Sequence, residues 1–486
     1  MNSARPLSNR TLHWHAARVA APRYERGDLR PGVVHLSVGA FHRSHQAVYF
    51  DDLACAGRND WGVIGVGLRR PAMREALAAQ DGLYTVVSRG AAGDDARIVG
   101  VMTDYLLAPR QRSAVLAALT DPRTAVVTLT ITADAYARPA DPERRMSRRE
   151  PSDAVEYLVL ALDARRRAGT APFTVISCDN IPANGEVARE TVLAHAALRS
   201  PELAAWVADR CCFPNGMVDR ITPRTTSEDR AFVAREFGIA DRWPVMTEPF
   251  SQWIVEGRFC GRRPPLDEVG VQFVDDVTPY ALMKTRLLNA GHCALGHVGS
   301  LLGYERADEA VADPLVRDYL TQLMEDEVTP LLPAVPGIDL AAYRASLLER
   351  LANPAIADRL DRLCRSASAK VPAHVVPSIA ASRRRGRPCP LLTLAVAAWF
   401  RHLRGVDDGG RRLPPLDDPL SGRLRTLARA AGDDPRPLLA EHALFGDLGA
   451  DPGFQASVRA ASQTIARDGV RGALRAVVAP GAVMSP

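Results

Sequence analysis

Of the 61 lysine and arginine residues in this chain, only Lys284 and Lys370 are lysine. A solvated surface charge is served by either residue. A group that must give up its proton near neutral pH is not, because arginine stays protonated while a desolvated lysine falls to a usable pKa. Both lysines are therefore candidates for chemistry, against the plain alternative that they are remnants of an arginine-biased composition. Lys284 lies in Tyr280-Ala-Leu-Met-Lys-Thr-Arg-Leu-Leu-Asn-Ala-Gly-His292. Leu282, Met283, Leu287 and Leu288, with Leu295 beyond, predict a largely buried helix. At about 100° per residue, Asn289 falls about 140° and His292 about 80° round from Lys284, so the three share one broad face. A lysine, a carboxamide and an imidazole on an apolar helix make a set for proton transfer and carbonyl polarisation. The plain alternative is a helix with three satisfied polar groups.

The elements before this helix read as an open α/β sheet. Gly32 to Leu36 is a short apolar strand, Ser37-Val-Gly39 a tight turn, and the following residues a helix through Leu53. Strand, small-residue turn, helix is the arrangement that cradles the phosphates of a dinucleotide, here with S-x-G for the usual G-x-G. Trp61 to Gly67 is a second buried strand, followed by Leu68-Arg-Arg-Pro-Ala-Met-Arg74. Arginines with no acid before Glu75 lean toward tolerance of NADP beside NAD. Tyr84–Ser88, Ala96–Met102, Ala125–Thr132 and Phe173–Asn180 predict further strands, and Arg112–Leu119 and Ser152–Ala168 predict helices. Asn180 ends its strand at the edge where such sheets bind ligands. Residues 186–208 predict one or two helices, 213–223 a loop that carries Asp219, and 243–274 strand-like pieces. From Tyr280 onward helices follow one another, at 281–302, 313–331, 339–350, 354–366, 389–403, 419–432, 436–443, 453–468 and 470–478. The boundary is placed near residue 283. Residues 1–283 are then a Rossmann-like cofactor domain with a mostly parallel sheet, and 284–486 a mainly α-helical substrate domain.

Composition excludes several other classes. A net charge of +5 is slight and dispersed, which argues against nucleic acid. Arg165–Arg167 and Arg383–Arg385 read as solvated faces. The longest apolar run, Leu391 to Phe400, is too short to span a bilayer. Eight cysteines without a C-x2-C pair predict reduced thiols and a cytoplasmic protein, and argue against a structural zinc site. No signal peptide is evident in the polar first 30 residues, which read as an irregular arm. No bound metal is expected, and the oligomeric state is open.

Several motifs in order resemble the mannitol dehydrogenase family, the polyol-specific long-chain dehydrogenases. They are Gly39-Ala-Phe-His-Arg-Ser-His-Gln46, Gly65-Val-Gly-Leu68, Gln80-Asp-Gly-Leu-Tyr84, Leu129-Thr-Ile-Thr132, Ser177-Cys-Asp-Asn-Ile-Pro-Ala-Asn-Gly185, Phe213-Pro-Asn-Gly-Met-Val-Asp-Arg-Ile-Thr-Pro223, Glu248-Pro-Phe250, the Lys284 helix, Pro336-Gly-Ile-Asp-Leu340 and Lys370. The branch that interconverts mannitol and fructose is nearest. The resemblance implies a metal-independent, NAD(P)-linked interconversion of a polyol and a ketose. In it Lys284 is the general base, Asn180 and Asn289 donate to the developing oxyanion, and His292 orients the substrate or the lysine. Asp219, Arg362 and Lys370 would hold polyol hydroxyls. Ser37, Gly39, Ala40, Phe41, His42, Arg43 and Arg69 would meet the cofactor. Four departures stand out: Ser37 for the first glycine, Ala133 where a glutamate is usual, Ala281 where many relatives carry glutamate, and Arg365-Ser-Ala-Ser-Ala-Lys370 for the family's Gly-Ser-Ser-Lys run beside the substrate lysine. The alternatives are a uronate such as fructuronate as substrate, or a cofactor-binding sensor or scaffold that has lost catalysis.

Overall fold

A computed structural model describes residues 4–136 and 153–478. Within them the chain divides into two compact units, one ending at Thr278 and the other beginning at Pro279.

Five parallel strands form the centre of the first unit. Their spatial order is Met102–Leu107, Gly62–Gly67, Pro31–Leu36, Val126–Leu129, Thr174–Ser177. Successive residues of a strand face opposite sides, and here both sides are covered. Val34 and Leu36 pack with Leu158 and Leu162, whereas Val33 packs with Phe50 and Leu53. That double covering explains why these strands read as continuous apolar runs. Helices Gln46–Cys55, Arg112–Thr120, Ala154–Arg167 and Asn184–Arg199 supply the layers. The predicted start of the third at Ser152 lies outside the described residues. Its described N-cap is Asp153, whose carboxylate accepts from Glu156 N.

Several segments differ from expectation. The segment 96–102 is not one strand. Gly93–Val99 pairs antiparallel with Tyr84–Gly90, and the chain then turns into the edge strand Met102–Leu107 of the main sheet. Continuous β-branched sequence hid the break at Gly100. The 213–223 loop contains a strand, Gly216–Asp219, antiparallel to Gln252–Glu256. Its Pro, Asn and Gly flank the paired residues and masked them. The N-terminal arm is also held: Arg5–Pro6 pairs with Ile239–Ala240, and Leu7 and His15 are buried.

Arg165 corrects the solvated-face reading. It is 2% exposed, and its guanidinium donates to the carbonyls of Leu119, Asp121, Thr124 and Ala171 at 2.6–2.8 Å. Burial lowers its pKa to about 10. The side chain has become a clip for the turn that leads into Val126–Leu129.

The second unit is helical. Ala290–Leu301 packs against Leu360–Cys364, Ala367–His374 and Pro390–Leu403. The predicted helix 354–366 is reduced to Leu360–Cys364, and Ala367–His374 and Val376–Arg384 were not predicted. Pro372 and Pro377 masked them, the latter at the permitted first turn. The last helix, Pro452–Val477, kinks at Gly469, where φ is +70°. Among the described residues no helix is long and apolar enough to cross a membrane.

Candidate active site

In the first unit, the strand order reverses between Pro31–Leu36 and Val126–Leu129. Open α/β sheets bind ligands outside the carboxyl ends of the strands at such a point. Ser37 stands there at φ +76°, in the left-handed region glycine usually supplies. Ser37 N and Val38 N both donate to Val66 O, at 2.8 and 3.2 Å. Thr130 Oγ1 donates to Ser37 O at 2.8 Å. A Cβ on Gly39 would meet nothing nearer than Ser37 O at 4.0 Å, so the backbone is bare toward open space. A Cβ on Gly65 would lie 2.8 Å from Val38 Cγ2, so that glycine lets the turn settle on the sheet. The residues at this edge fit a dinucleotide.

Ser37, Gly39, Ala40 and Phe41 are half-buried along this edge, and Arg69 is exposed after the second strand. His42 and Arg43 are sealed inside. The His42 ring stacks on His35 at 3.4 Å and is held neutral, well below its usual range, by burial first and then by His35, Arg43 and His45 beside it. Arg43 Nη1 donates to Trp243 O at 2.5 Å, and its guanidinium lies over the Tyr84 ring. His45 is likewise turned inward, with Nε2 2.9 Å from Gln252 O.

Asn180 follows the fifth strand and is exposed. Asp179 beside it does the fastening. Its carboxylate accepts from Ile131 N at 3.0 Å, Thr132 N at 2.9 Å and the Tyr136 hydroxyl at 2.7 Å. Burial pushes its carboxyl pKa up, and the Tyr136 hydroxyl and the two N–H groups oppose that shift. Thr132 sits at φ +70°, directly before Ala133. The Asn184 amide then bonds Asp179 O and Gly216 O at 3.1 and 2.9 Å, and accepts from Gly216 N at 2.9 Å. This ties the 179–184 loop to the strand that ends in buried Asp219.

In the second unit, Thr278–Lys284, Thr285–Asn289 and Ala290–Leu301 run on as one helix, but its middle segment is π-helical. Bonds there close over five residues, so the spacing of 100° per residue fails between Lys284 and Asn289. Lys284 and Asn289 are buried. Asn289 Nδ2 and His292 Nε2 are both buried without a hydrogen-bond partner. Such atoms carry an unrecovered desolvation cost, and each needs explaining. A polar ligand would relieve it.

Four basic side chains act on this imidazole. Burial first, then the charges of Arg362, Arg350, Lys370 and Lys284, hold His292 neutral, well below its usual pKa. Lys370 Nζ donates to Leu363 O at 3.2 Å and Arg362 O at 3.4 Å, and burial lowers its pKa. Arg362 is clamped by the Asp358 carboxylate through two hydrogen bonds. His374 is lowered to about 4, by burial first and then by Lys370 and Lys284. The second unit thus gathers Lys284, His292, Arg362 and Lys370, together with Arg350 and His374. The last two were missed. Spacing four beyond Lys370 was the available signal for His374, and Arg350 carried none in an arginine-rich chain. Ala281 is half-buried, three residues before Lys284.

The first unit is a Rossmann-type domain, and the second is a mostly helical domain bearing the buried lysine. Residues 31–268 match the mannitol dehydrogenase Rossmann domain and residues 276–466 the mannitol dehydrogenase C-terminal domain. The chain belongs to the mannitol dehydrogenase family. It is 43% identical over 489 residues to a mannitol 2-dehydrogenase of Aspergillus fumigatus, covering 96% of this chain and 97% of that one. A solved mannitol 2-dehydrogenase of Pseudomonas fluorescens, a ternary complex with NAD and D-mannitol, superposes with a TM-score of 0.89 at 39% identity. That match covers 97% of this chain and 99% of the other. A substrate-free D-sorbitol dehydrogenase is similar at a TM-score of 0.89 and 34% identity, covering 96% and 100%.

Proposed function

We propose that this protein is an NAD-dependent polyol dehydrogenase interconverting a sugar alcohol and a ketose of the mannitol and fructose kind. The observation that carries the proposal is the pair of buried, unpartnered polar atoms, Asn289 Nδ2 and His292 Nε2, on the helix of buried Lys284. Ser37 to Phe41 would line the phosphates of NAD, and Arg69 would flank its adenosine end and leave room for NADP. His42 and Arg43 would hold that turn in place from below.

Bound NAD supplies the hydride acceptor, and its reduced form the donor. Lys284, as a neutral amine, takes the carbinol hydroxyl proton at Nζ and returns it when the ketose is reduced. Asn289 Nδ2 donates to the oxygen as it becomes a carbonyl, a contact of the kind worth about 3–4 kcal/mol in other enzymes. Asn180 is the second amide donor. His292, kept neutral, meets a substrate hydroxyl through Nε2 and orients the polyol. Asp219, Arg362 and Lys370 hold the remaining hydroxyls. Base and electrophile are thus both side chains, with no metal at the reacting oxygen.

A second reading has a specific observation behind it. Arg350, Arg362 and Lys370 around His292 suit a substrate carboxylate, as in a uronate. Against it, Asp358 already neutralises Arg362. The deciding experiment is oxidation of NADH and of NADPH with fructose, fructuronate and several ketopentoses, using wild-type protein and Lys284→Ala. Turnover of a neutral ketose with NADH, lost in Lys284→Ala, is expected. Turnover of the uronate alone would replace the substrate. Cofactor binding without any turnover would leave the sensor or scaffold reading.

A further inference from the structure

Three helices of the second unit bring one side chain each to a common buried point. They are His297 from Ala290–Leu301, Cys364 from Leu360–Cys364 and His402 from Pro390–Leu403. All three are buried. The two Nδ1 atoms are 3.2 Å apart, and Cys364 Sγ is 3.5 Å from His297 Nδ1 and 3.9 Å from His402 Nδ1. Among the described residues no other trio of His, Cys, Asp or Glu places its ligand atoms so close.

These edges have a metric meaning. A tetrahedral zinc ion bound at about 2.0–2.1 Å to nitrogen and about 2.3 Å to sulfur spaces its ligands by about 3.3 Å for N···N and about 3.6 Å for N···S. The trio has those spacings within a few tenths of an ångström. Hydrogen bonding alone can place a proton on two of the three edges, whereas an ion at the centre engages all three atoms. Both imidazoles turn Nδ1 toward each other and toward Cys364 Sγ. The fold also makes room for the sulfur. A Cβ on Gly296 would lie 3.0 Å from Cys364 Sγ, so a larger residue there would push the thiol away.

A cleft lies beside the trio. It measures about 170 Å³ and is lined by Ser300 and His402, and Glu305, Asp361, Asp407 and Asp417 stand among the arginines of its wall. Ser300 also hydrogen-bonds Cys364.

We propose that His297, Cys364 and His402 form a zinc site that staples three helices of the second unit, with a water held by Ser300 as fourth ligand. Two imidazoles and a thiolate suit zinc in preference to magnesium or calcium, which take oxygen ligands. Binding replaces the thiol S–H bond with a Zn–S bond and releases one proton to solvent, with no redox change. The neighbouring chain then gains a function. Cys364 lies between Arg362 and Lys370, and His297 lies on the helix of His292. The ion fixes the spacing of the substrate residues without touching substrate. This inference revises the expectation of a metal-free protein and does not depend on which polyol reacts.

The test is metal content and cobalt spectroscopy on the full chain. Wild-type protein incubated with zinc chloride and desalted should retain about one zinc per chain, and Cys364→Ser and His402→Gln should retain almost none. Cobalt(II) in the wild type should give four-coordinate d–d bands and a thiolate charge-transfer band that disappear in Cys364→Ser. Zinc should also raise the wild-type unfolding temperature, as a ligand of the native state must. That measurement holds even if the variants fail to fold. Wild-type protein that retains no zinc and gains no thermal stability overturns the proposal. Equal retention in folded Cys364→Ser does so too.

Discussion

The Asp179 carboxylate accepts the backbone N–H of Thr132 at 2.9 Å, joining the loop after the fourth sheet strand to the loop after the fifth. Ile131 N and the Tyr136 hydroxyl share the same carboxylate. One loop leads into the ligand edge of the sheet, and the other presents Asn180. Asp179→Asn keeps the shape but turns one acceptor into a donor facing an N–H. A loss of about 1.5–3 kcal/mol in urea unfolding is expected, with cofactor KM rising more than kcat falls. Unchanged stability would remove the fastening role.

Lys284→Arg preserves charge and much of the bulk but cannot be deprotonated at working pH. Turnover should fall about 10²–10⁴-fold, the usual worth of a positioned base, while NADH binding measured by fluorescence stays within a few-fold of wild type. Retained turnover would dismiss Lys284 as the base.

Ala281 sits three residues before Lys284, where the family resemblance implies an acid that gates a proton path. Ala281→Glu should shift the pH–rate profile of polyol oxidation. A superimposable profile in the two proteins would dispose of the idea.

His35 sets an acid limit on stability. Its nitrogens lie 2.8 Å from Thr128 Oγ1 and 3.0 Å from Thr130 Oγ1, and burial lowers its pKa to about 3 from the usual 6.5. Between those values the unfolded chain binds a proton that the folded chain refuses. Stability therefore rises with pH through this window and is lost as pH falls below about 6.5, by up to about 1.4 kcal/mol per pH unit. His35→Gln should flatten the acid limb of a stability–pH curve, and an identical limb would place the loss elsewhere.

Arg165→Lys should cost about 2–4 kcal/mol. One ammonium cannot reach the four carbonyls that the planar guanidinium serves. Chemical denaturation measures it directly, and a change below about 0.5 kcal/mol would contradict the clip.

Much of this was legible in the sequence. Four of the five main-sheet strands were visible because burial on both faces leaves unbroken runs such as Ala125-Val-Val-Thr-Leu, and Lys284 stood out by its rarity. The edge strand at Met102 and the strand at Gly216 were not visible, the first because an apolar run crosses the break at Gly100 and the second because Pro, Asn and Gly flank its paired residues. Arg165 looked like surface because composition cannot distinguish a charge in water from one capped by carbonyls. The clustering of His297, Cys364 and His402 needed three helices to be packed, and no local spacing encodes that.

The π-helical turn at Thr285–Asn289 amounts to one surplus residue spliced into a continuous rod. The helical turns on either side keep their own packing, so the surplus acts as a phase shifter between Lys284 and the buried Ala290–Leu301 rod. Deleting Leu287 would let the helix close its normal ladder with little harm to the rod. Lys284 would then swing round by about 100°. In this family member, a deletion of a single codon could therefore separate a stable fold from its chemistry.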